Sequence, residues 1–279
     1  MMKFPTMKLS SESAALKMLC DSMAEEVASS IGEMIGDPAC GEVIDIGADG
    51  TPTKGIDKIA ETAALAPLKD FGQGFKVLSE ELGEVQIGEK PEYFLHLDPL
   101  DGTFNAINGI PFYSISIYIS NLNCSFAYVF DLVKEIRYYA EYGNGAYMEK
   151  DLDRREIRVS SLESIENFSI AAYTIRPNTH RINRLGDIVR RIRSMGCTSL
   201  EMCLVASGKL DAFVDLRGNI RVVDFAAGKL IVEEAGGQVT DGRGRAIILG
   251  GDMWQSHYLL ASSGMAHDRL LELLGGDGN

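Results

Sequence analysis

Long apolar runs are missing from this 279-residue chain. No stretch approaches the roughly 20 apolar residues that cross a bilayer. The opening Met1-Met2-Lys3-Phe4-Pro5-Thr6 has no signal-peptide apolar core behind it. The expectation is a cytoplasmic protein without a membrane partner. Cysteine is sparse. Cys20, Cys40, Cys124, Cys197 and Cys203 are odd in number, scattered and never at Cys-x-x-Cys spacing, unlike a disulfide framework or a cysteine zinc site. The four histidines, His96, His180, His257 and His267, never fall at His-x-x-x-His spacing, which argues against a histidine zinc site. Positive charge is in deficit, with 27 Lys and Arg against 40 Asp and Glu, a net −13. That balance argues against a nucleic-acid partner or an anionic membrane. Neither a Gly-x-Ser-x-Gly elbow nor a Walker-type loop is present, so a serine-nucleophile route and a P-loop route both lack support.

What is present centres on Asp98-Pro99-Leu100-Asp101-Gly102-Thr103. It follows the apolar run Tyr93 to Leu97, which reads as a buried strand. Hard divalent cations take oxygen ligands, usually one or two carboxylates with waters and substrate phosphate. Pro99 stiffens the link between the two aspartates, and Gly102 allows backbone to approach a ligand. A helix starting near Thr103 would add an anion site beside the metals. Taken alone, the pair is equally what a solvated Asp-Gly turn shows. Bound cations reverse the local potential, so the acidic balance suits a metal-dependent phosphatase better than a metal-free one.

The hexapeptide, with Asn105 soon after, resembles the signature of the inositol monophosphatase-like superfamily of Mg²⁺-dependent, lithium-sensitive phosphatases. Three further segments are similar to that family in the same order. Ser79-Glu80-Glu81 matches its acidic pair. Thr53-Lys54-Gly55-Ile56-Asp57 with Glu61 is similar to its Thr-x-x-Asp-x-x-x-Glu segment, with one more residue between Thr53 and Asp57. Val223-Asp224-Phe225-Ala226-Ala227-Gly228 matches its second signature, with Val223 where Trp is usual. Each alone has a plainer explanation, such as solvated glutamates or an aspartate at a helix start.

The resemblance implies two or three Mg²⁺ per site. Asp98 would bridge two of them, with Glu80 and the Leu100 carbonyl on the first and Asp101 and Asp224 on the second. It implies that Thr103, with Asp57 behind it, orients the attacking water, and that the backbone of Gly102 and Thr103 holds phosphate oxygens. Thr198, in Gly196-Cys197-Thr198-Ser199, would contact substrate. Arg217 stands where inositol monophosphatases usually carry a glutamate, which suits a more anionic substrate. Tyr173 and Arg193 are candidates for a second phosphate pocket, although the arginines between 181 and 193 are also what a solvated helix face carries. Val214-Asp215-Leu216-Arg217 and the missing Trp look like the archaeal-type bifunctional fructose-1,6-bisphosphatase/inositol monophosphatase branch. Alternatives are a dedicated inositol monophosphatase, a 3′-phosphoadenosine 5′-phosphate phosphatase, or a binding regulator that has lost catalysis. A homodimer is the usual family state and the commonest closed symmetry.

Periodicity predicts a long helix over 11–35 and a second over 56–68. Residues 41–53 read as a loop and a lid candidate. Residues 93–160 read as a mostly antiparallel sheet, with a hairpin at Gly143-Asn144-Gly145. After about residue 160 helices and strands alternate, with a basic helix over 180–194, further helices over 199–206, 224–235 and 265–274, and strands that include 246–249. The expected architecture is mixed α+β and α/β, a five-layer α-β-α-β-α sandwich. Residues 1–160 would hold most metal ligands, and 161–279 would hold Asp224 and the specificity residues.

Overall fold

A computed structural model describes residues 9–47, 50, 52–249 and 255–275. The opening hexapeptide of the chain and residues 48, 49 and 51 of the expected lid lie outside this range. Helix α1 (Ser11–Ile31) is capped by Ser10, whose hydroxyl accepts the Ser13 N–H at 3.1 Å. Its buried stripe is Leu16, Leu19, Met23, Val27 and Ile31. The helix gives way at Gly32 to a 3₁₀ turn, earlier than the apolar period suggests, because glycine weakens a helix interior. Strands β1 (Val43–Ile46) and β2 (Pro52–Lys54) pair antiparallel inside the segment expected to be a loop. Helix α2 (Gly55–Leu65) stops two residues before Pro67.

Next come β3 (Gly74–Ser79), β4 (Gly83–Ile87), β5 (Pro91–Asp101), α3 (Thr103–Ile107), β6 (Ser114–Ser120), β7 (Ser125–Asp131), β8 (Ile136–Glu141), β9 (Ala146–Lys150) and β10 (Asp153–Ile157). They form an eight-stranded sheet in the order β10-β9-β8-β7-β6-β5-β3-β4. Only the β3–β5 pair is parallel. The second sheet is built from β11 (Ser169–Ala172), β12 (Arg191–Arg193), β13 (Ala212–Ile220), β14 (Gln238–Thr240) and β15 (His257–Ser262). Its order is β12-β11-β13-β15-β14. The remaining helices are α4 (Thr179–Gly186), α5 (Thr198–Ala206), α6 (Val222–Glu234) and α7 (His267–Gly275).

These elements stack in five layers. Helices α1 and α2 cover one face of the first sheet through a core that includes Leu16, Met23, Ile56, Phe75, Leu95 and Ile117. Helices α5 and α6 fill the space between the sheets, where Phe225 and Ile231 pack with Val129 of one sheet and Phe213 of the other. Helices α4 and α7 close the outer face of the second sheet around Ile170, Leu185, Val214 and Leu270. The α-β-α-β-α sandwich is therefore the architecture of this chain.

Two local expectations are corrected. The helix expected over 180–194 ends at Gly186, and Arg191-Ile192-Arg193 instead pairs parallel with β11. Glycine breaks the helical period there, and the polar-apolar-polar alternation fits an edge strand. Residues 246–249 make a single bridge, Thr240 to Ala246, in place of a strand. No helix among the described residues is long and apolar enough to cross a membrane.

Candidate metal and phosphate site

The site begins with a defect in β5. Residues three apart in a regular strand point to opposite faces. Between Asp98 and Asp101 the pairing with β6 shifts, since Asp98 faces Ser116 and Asp101 faces Ser114. Three steps on β5 are matched by two on β6, which is a bulge, and Pro99 within it has no N–H to give the ladder. The extra residue returns the second aspartate toward the side of the first. Beside it, the parallel partner β3 ends at Ser79, and the Glu80 N–H donates to the Leu97 carbonyl at 3.2 Å. Glu80 and Asp98 thus leave neighbouring strand ends together.

Asp224 enters from the first turn of α6. One carboxylate oxygen each from Glu80, Asp98 and Asp224 lies within 4.8 Å of the others. Asp98 is buried, and Glu80 and Asp224 are half-buried. Burial pushes the Asp98 carboxyl well above the usual carboxylate range, and Glu80, Asp101 and Asp224 add to the shift. Asp224 is pushed up to about 6, first by burial, with Arg221 opposing and Glu80 reinforcing. Three oxygen donors gathered this closely fit a hard divalent cation.

Asp101 is turned toward α5. It accepts from the Ser199 N–H at 2.6 Å, the Ser199 hydroxyl at 2.7 Å and the Thr198 N–H at 3.3 Å. This carboxylate ties the end of β5 to the first turn of a helix lying between the sheets, and it complements that helix's dipole. Leu100 is buried, and its carbonyl accepts from the Thr103 hydroxyl at 3.0 Å. Gly102 adopts φ +93°, and a Cβ there would stand 3.0 Å from the Phe112 carbonyl oxygen. Only glycine fits this turn without strain.

Thr103 opens α3. Its hydroxyl also lies 2.8 Å from Asp57 Oδ1, so one proton serves two acceptors, Asp57 and the Leu100 carbonyl. Asp57 sits in the first turn of α2 and is buried, which raises its carboxyl above the ordinary range despite the Thr103 bond.

The second half contributes Tyr173, Thr198 and Arg217. The Tyr173 hydroxyl is 3.4 Å from the Thr198 hydroxyl, and the Arg217 guanidinium lies 3.6 Å from the Tyr173 ring centroid. Arg217 is also held by Asp215, through Nε at 3.1 Å and Nη2 at 2.6 Å. Arg193 stands apart. It is exposed on edge strand β12 and donates to its neighbour's carbonyl, Ile192 O, at 3.0 Å. Among the described residues no hydrogen bond or ion pair joins it to Tyr173, Thr198 or Arg217.

Three residues were missed as parts of this centre. Glu61 is fully buried and accepts from the Ser79 hydroxyl at 2.5 Å and the Leu82 N–H at 3.0 Å, so it fastens the turn that carries Glu80. Its place in the Thr-x-x-Asp-x-x-x-Glu segment was the available signal. Glu201, buried in α5, accepts the Met195 N–H at 3.0 Å and is pushed up to about 8 by burial. Arg221 places its guanidinium 2.5 Å from Glu80 and 3.0 Å from Asp224. Nothing in its local sequence marks it.

Comparison with known proteins agrees with this geometry. Residues 18–276 match the inositol monophosphatase family. A fructose-1,6-bisphosphatase/inositol-1-monophosphatase of Methanothermobacter thermautotrophicus is 40% identical over 238 residues, covering 81% of this chain and 84% of that protein. A bifunctional NADP phosphatase/NAD kinase of Methanococcus maripaludis is 35% identical over 272 residues, covering 91% of this chain. This chain spans only 48% of that relative's length. A solved Pyrococcus horikoshii protein with similarities to inositol-1 monophosphatase superposes with a TM-score of 0.80 at 30% identity, covering 96% of this chain and 100% of that one. The match over nearly the whole length, on the same α-β-α-β-α sandwich, makes this chain a member of the inositol monophosphatase family and a phosphomonoester hydrolase.

Proposed function

We propose that this protein hydrolyses sugar and polyol phosphates with Mg²⁺, two or three ions per site, acting on fructose 1,6-bisphosphate and on inositol 1-phosphate. The observation that carries the reading is the meeting of Glu80, Asp98 and Asp224 within 4.8 Å of one another, in a chain where Thr103 is hydrogen-bonded to Asp57. Glu80, Asp98, Asp224, Asp101 and the Leu100 carbonyl would hold the cations. When bound, such ions supply Lewis-acid charge that activates water and stabilises the leaving oxygen.

The chain's own groups handle the proton. The attacking water gives a proton to Thr103 Oγ as the Thr103 hydroxyl proton passes to Asp57 Oδ1. The buried position of Asp57 raises its proton affinity and suits it as acceptor. The P–O bond to the alcohol breaks as the new P–O bond forms; the leaving oxygen takes its proton from solvent water, and Asp57 later returns the proton it received to solvent. The N–H groups of Gly102 and Thr103, at the start of α3, would bind phosphate oxygens. Tyr173, Thr198 and Arg217 form the wall that meets the rest of the substrate. Arg217 keeps part of its guanidinium for an anion while Asp215 and Tyr173 hold it rigid. Arg193, exposed on β12, is the candidate for the second phosphate outside this wall.

A second substrate reading is the 2′-phosphate of NADP, favoured by the 35% identity to the Methanococcus enzyme over most of this chain. The five free cysteines among the described residues fit a reducing cytoplasm, and a closed homodimer completes the reading. Phosphate release with Mg²⁺ from fructose 1,6-bisphosphate, inositol 1-phosphate and NADP, for wild type and Asp98→Asn, tests the proposal. Turnover of the first two that disappears in the variant is the expected result. Turnover of NADP alone would move the assignment to the nucleotide. No turnover of any would overturn it.

A further inference from the structure

Arg221 stands where the carboxylates would otherwise receive a cation. Its guanidinium contacts Glu80 Oε1 at 2.5 Å and Asp224 Oδ1 at 3.0 Å, two of the three oxygen-bearing side chains of the cluster. Among the described residues Asp98 makes no such ion pair, and its carboxylate accepts the Leu100 N–H at 3.0 Å. The pairing spans the fold, since Glu80 lies at the end of β3 in the first sheet while Arg221 caps α6 between the sheets. The backbone of Arg221 is pinned, because its N–H donates to Asp224 Oδ2 at 2.8 Å. Its side chain reaches the two carboxylates through hydrogen bonds and charge.

We propose that Arg221 is a resident counter-cation of the ligand cluster: it holds Glu80 and Asp224 together before metal arrives and competes with the divalent ion for them. This rests on the metal reading above. Three mutually repelling carboxylates on separate elements would spread apart without a positive group among them. A guanidinium suits the task because its planar fork reaches two carboxylates at once and it never loses its charge. The same oxygens that bind it are those a cation needs. A dication and a guanidinium a few ångströms apart repel, so metal loading requires the side chain to move off at least one carboxylate. Arg221 is thus a positioning residue, one that sets the metal affinity of the cluster and protects the metal-free fold.

The test is calorimetric titration of the full chain with Mn²⁺ and Mg²⁺, for wild type, Arg221→Gln and Arg221→Lys, together with thermal unfolding in EDTA. Arg221→Gln is expected to bind the divalent ion at least about tenfold more tightly and to unfold at a lower temperature without metal. Arg221→Lys, which keeps the charge but loses the fork, is expected to fall between. Should Arg221→Gln fail to fold without metal, Arg221→Lys still decides, and it must bind more tightly than wild type. Metal binding by wild type that is unchanged or weaker in both variants overturns the role of Arg221 alone. No divalent binding by any of the three overturns the metal reading and the Arg221 proposal with it.

Discussion

Thr103 Oγ lies 2.8 Å from Asp57 Oδ1, joining the first turn of α3 to the first turn of α2 across 46 residues of chain. Neither residue belongs to the Glu80–Asp98–Asp224 cluster, so under the proposed function proton handling and metal binding fall to different side chains.

Loss of that contact should therefore lower turnover and spare metal affinity. Thr103→Ala and Asp57→Asn are each expected to reduce kcat by roughly 10²–10⁴, the usual weight of a positioned proton acceptor. Divalent binding measured by calorimetry should stay within a few-fold of wild type. An equal loss of metal affinity would place Asp57 among the ligands instead.

Asp98→Asn should abolish activity and strengthen the metal-free fold. Asp98 is buried among like charges with its carboxyl pushed well up. A neutral amide of the same shape removes that repulsion, and a gain of about 1–2 kcal/mol in EDTA follows the common trade of stability against function. Chemical denaturation with chelator present measures it. A destabilised variant would contradict this account of the cluster.

Glu201 makes stability depend on pH. Its carboxyl titrates near 8 in the fold against an ordinary 4.5. Between those values the unfolded chain binds fewer protons than the native one, so stability falls as pH rises. The contribution is complete below about 4.5 and lost once pH passes about 8, with a slope of at most about 1.4 kcal/mol per pH unit. Glu201→Gln should flatten the fall between pH 5 and 8 in unfolding curves. An unchanged slope would assign the titration elsewhere.

Gly102→Ala tests the turn. The added Cβ meets the Phe112 carbonyl oxygen at 3.0 Å and Tyr113 Cβ at 3.2 Å, on backbone with φ +93°. A loss of about 1–3 kcal/mol is expected. Turnover should drop more than stability explains, because Asp101 and Thr103 flank the strained position. Wild-type activity at permissive temperature would show that the turn tolerates displacement.

Arg217→Met should leave Asp215, which is fully buried, without its guanidinium, holding only the backbone N–H of residue 217 at 2.9 Å. A buried carboxylate stripped of its cation costs about 3–5 kcal/mol, and the Tyr173 ring loses the guanidinium beside it. Double substitution with Asp215→Asn should recover part of the stability but not the KM for a bisphosphate. Full recovery of both would make Arg217 structural only.

Much of this was legible from the chain alone. Asp98, Asp101, Gly102 and Thr103 lie within one hexapeptide, so one strand end and one turn bring them together, and a short motif suffices to find them. The stripe Leu16, Leu19, Met23, Val27 and Ile31 declares α1 because helical period and burial coincide there. Glycine at 186 and the alternation of Arg191-Ile192-Arg193 were visible too, but a basic amphipathic period ran past them, and pairing with β11 won. The tertiary structure decided the rest. Ile220-Arg221-Val222 looks like any solvated helix start, and only packing of α6 between the two sheets brings Arg221 to Glu80, 141 residues away. Glu201 reads as an ordinary helix-surface acid until burial shows what it holds. Local chemistry is written in neighbouring residues. The charge balance of a buried cluster is set by which distant side chains share one small volume, and that is a property of the folded chain.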